Sequence, residues 1–176
     1  MAVSTIQNAS LASGVPSAAK LPAGSVIQVV QTVKTDTAST SSASWSDITG
    51  MSVSITPASS SNKILVFADI NFGTNDNSCF IFFKLVRGST DIYVGDAAGS
   101  RTRITTGSAS SGPANTSHCG INYLDSPATT SSTTYKIQWY NQNPAFASYL
   151  NRTYSNTDDP ALSRNPSSIT VMEIAA

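Results

Sequence analysis

Residues 85–101 read LVRGSTDIYVGDAAGSR, and the first half of that stretch decides the fold. Apolar-alternating segments end at Val86 and resume at Asp91. Between them Arg87-Gly88-Ser89-Thr90 carries a glycine that can take positive φ and reverse the chain, so the stretch predicts strand, turn, strand. Immediately upstream, Cys79 to Val86 (CFIFFKLV) is dense in aromatic and branched residues, as is Lys63 to Phe72 (KILVFADINF). Apolar residues fall on both faces of these two runs, which predicts strands covered on both sides, by an opposing sheet and by a neighbouring subunit. Ile64 and Phe82 are the core residues expected from them.

The same pattern continues in both directions. Strands are predicted at Ser25–Lys34, Ser44–Asp47 with Met51–Thr56, Lys63–Phe72, Ser78–Arg87, Asp91–Asp96, Arg101–Thr106, His118–Asp125, Thr134–Asn141, Ser148–Tyr154 and Ser167–Ile174. Period-two alternation is clearest in Met51, Val53 and Ile55, and in Ile169, Val171 and Glu173. Ser and Thr make up 50 of 176 residues, against one Glu, five Lys and three Met, so straight-chain helix formers are scarce. No window shows sustained apolar spacing at three and four. The expected fold is all-β, a single antiparallel β-sandwich of jelly-roll type over residues 25–176. Residues 1–24 read differently: Ala, Ser and Gly with isolated Ile6, Leu11, Val15 and Leu21 carry too little apolar surface to fold alone. They are read as an extended N-terminal segment.

Formal charge is zero, ten acidic residues against ten basic ones, all scattered. Nothing builds the basic stripe that phosphate neutralisation needs, so nucleic acid is not an expected partner. The sequence has no apolar run of 18 residues, and membrane insertion is not expected either. Cys79 and Cys119 are too few for a disulfide framework and sit in no metal or redox spacing. They are read as buried free thiols.

Catalytic groups are thin. His118 precedes Cys119 directly, so on a strand the two side chains point to opposite faces and cannot act as base and nucleophile. There is no Gly-x-Ser-x-Gly elbow and no phosphate-cradling glycine loop. Asp91, Asp96, Asp125, Asp158 and Asp159 could form a carboxylate pair only by meeting in space, and are read as solvated turn residues. Asp158-Asp159 beside Asn156 offers oxygen ligands without the spacing of an ordered calcium loop. No enzyme, cofactor or metal site is expected. Large rings concentrate late in the chain, interleaved with amides; these suit sugar rings, which stack on π faces and take hydrogen bonds from planar amides. Asn143, Tyr149, Asn151 and Tyr154 are the candidate glycan contacts, with packing as the competing explanation.

Four stretches, LVRGSTDIYVGDAAGSR, TVKTDT (Thr32 to Thr37), LDSPATTSSTTYK (Leu124 to Lys136) and SSITVMEIAA (Ser167 to Ala176), resemble segments of small β-rich virion structural or tail-fibre-like proteins of tailed bacteriophages of marine, cyanobacterial-type hosts. The resemblance implies a virion location, a homotrimeric decoration or appendage knob, other virion proteins as partners, and attachment through the N-terminal segment by Ile6, Leu11 and Val15. The competing class is an adhesin that binds a host-surface glycan or protein through its distal loops.

Overall fold

The computed structural model describes residues 21–176, which form eleven strands and no helix. They are β1 (Val26–Lys34), β2 (Ala38–Thr40), β3 (Ser46–Ile55), β4 (Lys63–Gly73), β5 (Ile81–Arg87), β6 (Thr90–Ile92), β7 (Thr106–Ser108), β8 (Ser117–Asp125), β9 (Thr133–Asn141), β10 (Ser148–Leu150) and β11 (Ser167–Ile174). Sheet A runs β1-β11-β4-β8, with β10 also against β4 and β2 against β10; sheet B runs β3-β9-β5, with β6 and β7 both on the far side of β5. Every pairing is antiparallel.

The pairs are nested: β1 with β11, β3 with β9, β4 with β8, and β5 with β6 and β7. This is one long antiparallel hairpin rolled over on itself, the topology of a jelly roll. Its core fills the space between the sheets. Ile64, Val66, Ile70, Phe72, Ile169 and Val171 of sheet A meet Met51, Ile81, Phe83, Leu85, Tyr135 and Ile137 of sheet B, all fully buried. Alternation explains the assignment, since β11 reads buried, half-buried through all eight residues.

Rolling puts connections at two ends. At one, here called the base, lie 56–62, the two-residue turn 88–89 and 126–132, together with 21–25 and 175–176. At the other, the crown, lie 35–45, 74–80, 109–116 and 142–166, with β2 and β10 inside them. Gly88 at φ 60° makes the tight β5–β6 turn as expected.

Several expectations are corrected. Phe82 is half-buried on the outer face and Phe83 is the core residue; in a run apolar on both faces, alternation alone does not set the phase. Asp91–Asp96 shortens to β6 because Tyr93 turns to φ 55°, and Ser148–Tyr154 shortens to β10 because Asn151 turns to φ 62°. The Arg101–Thr106 strand falls later, as Thr106–Ser108. Ser44–Asp47 and Met51–Thr56 fuse into β3 through a bulge at Gly50, φ 86°, where the Lys34 side chain lies 3.4 Å from the space a Cβ would take. The bulge lets both Ile48 and Met51 point inward.

Candidate functional site

The crown loops are held by amides and hydroxyls that bond backbone. Asn151, wholly buried, donates from Nδ2 to the carbonyls of Lys34 (2.8 Å) and Asp36 (2.9 Å) and accepts from Ser167 Oγ (2.6 Å). Asn141 donates to the carbonyls of Thr40 and Phe146. Thr74 and Ser110 bond each other through backbone and side chain, and the Ser155 N–H reaches the Pro113 carbonyl. Gly73 is needed at the centre of this arrangement, because a Cβ there would come within 2.5 Å of the Arg152 carbonyl oxygen. Four separate connections thereby become one platform.

On that platform the Arg152 guanidinium lies over the Tyr149 ring, 3.4 Å from its centre, and Tyr154 meets Tyr149 edge-on at 5.6 Å. Arg152 Nη1 donates to the Thr153 and Tyr154 carbonyls, which fixes its plane. A polar hollow of about 290 Å³ adjoins, lined among others by Thr153, Asn156, Asp158, Asp159 and Arg164.

Of the four candidate glycan contacts, Tyr149 and Tyr154 are therefore brought together. Asn151 is buried beneath them with its amide engaged by Lys34, Asp36 and Ser167, and serves the scaffold. Asn143 sits in the 142–147 connection, where its Oδ1 accepts from the Ala145 N–H and its backbone N–H donates to Asn141 Oδ1. Arg152, which joins the two tyrosines, had no marking signal in the sequence, because its place depends on the turn at Asn151. Ile6, Leu11 and Val15 lie outside the described residues.

The base is built differently. Glu173, the sole glutamate, is fully buried and accepts from Gln28 Nε2 (2.6 Å), the Ala58 N–H (2.7 Å) and Asn62 Nδ2 (2.6 Å). Burial raises its pKa, but the donors from Asn62, Gln28, Ala58 and Ser59 outweigh burial and hold it below the ordinary carboxylate value. Asp125 accepts from Arg87 Nη1 at 2.8 Å and from the Tyr135 hydroxyl at 2.6 Å. Burial first, and then the Asp125 carboxylate, push the Tyr135 hydroxyl far above its usual range.

The five aspartates are not gathered. Asp91 pairs with Lys84, Asp159 bonds the Ala161 N–H, and Asp125 is a buried ion-pair member where a solvated turn residue was expected. Among the described residues no three or more His, Cys, Asp or Glu are placed to hold a metal ion. His118 faces outward, 2.6 Å from Asp69, while Cys119 points into the core. Both thiols are free and buried, and burial raises their pKa values, which keeps them protonated.

Toward the base, the outer face of sheet A carries an apolar row. Register places Val29, Met172, Leu65 and Leu124 in one row across four strands, with Phe67 beside it. Val29 and Leu124 are about half exposed.

No protein-family model matches this chain and no curated protein matches it. Among solved structures, it is similar to that of the infectious bursal disease virus Gx strain (11% identity, TM-score 0.44, 85% of this chain and 37% of that one). It is likewise similar to the D431N mutant VP2 protein of infectious bursal disease virus in derived T=1 particles (12% identity, TM-score 0.45, 85% of this chain and 36% of that one). The chain spans a little over a third of each.

Proposed function

We propose that this chain is a non-enzymatic structural protein of a tailed-phage virion, a trimeric decoration or appendage protein mounted through residues 1–24. The observation that carries the reading is the separation of the two ends. Leu21–Ser25 lies at the base, where the Gly24 N–H bonds the Ala175 carbonyl, while the long, cross-braced loops stand at the crown. An N-terminal mount would therefore leave the crown pointing away from the particle. The sequence resemblance to virion proteins supports the setting, and the aliphatic row Val29, Met172, Leu65 and Leu124 supplies a surface for subunit contact.

Deleting residues 1–24 is expected to leave the sandwich folded and its melting temperature nearly unchanged while abolishing incorporation into particles. Truncated protein that decorates particles at wild-type occupancy would sink the mount. For assembly, light scattering should give about three times the monomer mass; a concentration-independent monomer removes the trimer.

A second reading, a receptor-binding adhesin acting through the crown, is favoured by the Tyr149–Arg152–Tyr154 cluster beside a polar hollow.

A further inference from the structure

The outer face of sheet B carries aromatic rings that neither reading uses. Phe82 of β5 pairs with Tyr140 of β9, and Trp45, one residue before β3, lies next to Tyr140, so three rings sit in line across three strands. Ring centres are 5.5 Å apart for Trp45 and Tyr140, and 6.0 Å for Tyr140 and Phe82, whose planes lie within 7°. Phe80, 44% exposed, extends the row at 6.5 Å. At the far side Phe82 crosses onto Gly107 of β7, where a Cβ would stand 2.8 Å from its ring. Lys84 Nζ, 4.4 Å from the Trp45 ring centre, steadies the other end.

The next row toward the base is polar and self-neutralising. Asp47 accepts from Lys136 (2.8 Å) and Gln138 (2.7 Å), and Lys84 pairs with Asp91 (2.6 Å). Trp45 and Tyr140 are both half-buried on this face.

We propose that this aromatic row is a binding face for an uncharged glycan chain. A pyranose ring presents an apolar C–H face, which stacks on an aromatic ring, and a belt of hydroxyls, which would meet the indole N–H, the phenol and the polar row. Two cations balanced by two anions favour neither an acidic nor a basic ligand. A second copy of the chain fits poorly, because the apolar row that suits subunit contact lies on the opposite sheet, and the charges bordering the aromatic row are already paired within the chain. The face flanks the crown, since Ile81 and Asn141 at its upper margin pair where the crown connections begin. The proposal goes beyond the receptor-binding reading, because it places a glycan on a face other than the crown cluster; the particle mount is independent of both.

The two tryptophans make the test direct, because Trp139 is buried in the core and Trp45 is half-buried on the face. Titrating the whole protein with linear neutral oligosaccharides of glucose and of N-acetylglucosamine, in increasing length, should change the Trp45 emission saturably, with affinity rising with length. Trp45→Ala and Phe80→Ala should each weaken retention on a neutral-polysaccharide affinity gel by about tenfold, with melting unchanged because neither side chain is in the core. Arg152→Ala should leave retention intact. If retention falls in Arg152→Ala and survives Trp45→Ala, the crown reading stands and this face is not the site. If no oligosaccharide moves the emission and the gel retains nothing, the proposal fails, while the crown reading stays open to other ligands.

Discussion

The base of the sandwich is closed around carboxylates, Glu173 and Asp125, whereas the crown is closed around neutral groups, Asn151, Asn141, Thr74 and Ser110. The crown's one buried cation, Lys34, only passes through, since its ammonium reaches out to exposed Asp36 at 2.8 Å. Both ends bury polar groups and both satisfy them. They differ in what a proton does. Glu173 has a lowered pKa in the folded chain, so its contribution to stability is present above the ordinary carboxylate value of 4.5 and is lost as pH falls through the folded value. Amide–carbonyl bonds have no such window. The base therefore buries its acid-sensitive carboxylate, whereas the carboxylates whose pKa is lowered in the crown, Asp36 by Lys34 and Asp76 by Ser78, sit in loops outside the amide braces.

The largest effect expected is one that ignores the difference. Phe83→Ala, in the core shared by both sheets, should lower stability by about 3–5 kcal/mol at any pH, because its ring packs on Phe72 at 5.4 Å and would leave a cavity. A denaturant midpoint shift under about a quarter of that would mean the core has been misplaced. Next, Glu173→Gln should cost roughly 2–3 kcal/mol near neutrality, since it removes a charged acceptor from three donors. The variant should also show a shallower acid slope below pH 4.5 than the wild type, the remainder coming from Asp36, Asp47 and Asp76. A variant whose slope equals the wild type's breaks the comparison at the base. Asn151→Ala should cost about 1–3 kcal/mol with no pH dependence between about pH 5 and 8. A slope there would mean the crown is also closed by titrating groups. The smallest effect expected is for Arg152→Ala, about 0.5–1 kcal/mol for a partly exposed stack on Tyr149, read as a small fall in melting temperature.

Most of the sheet framework is legible in the sequence, for a local reason. β1, β3, β4, β8, β9 and β11 alternate because one face is buried, and Gly88 marks its turn by the φ it must adopt. The short strands are only partly legible. Ala38–Thr40 carries no signal of its own and becomes a strand because it finds β10, while of the predicted Ser148–Tyr154 only Ser148–Leu150 stays a strand, where it bridges β4 and β2. The candidate sites fare likewise. Tyr149 and Tyr154 stand out by type, yet what joins them is Arg152, and what supports them is Asn151, whose role depends on the carbonyls of Lys34 and Asp36 more than a hundred residues away. The aromatic row on sheet B draws on positions 45, 80, 82 and 140, which only the β5–β9 and β3–β9 registers align.

The position of β11 between β1 and β4 has a kinetic consequence. Sheet A has no middle until the last strand arrives, so β1 and β4 wait with open edges throughout synthesis, and folding must close its longest loop before the sheet gains hydrogen bonds. Slow folding is expected. During that wait the vacancy can accept a β11 from a nearby copy, and the higher the chain concentration the better that copy competes with the tethered strand, which makes strand exchange between nascent chains the characteristic misassembly of this topology at high expression.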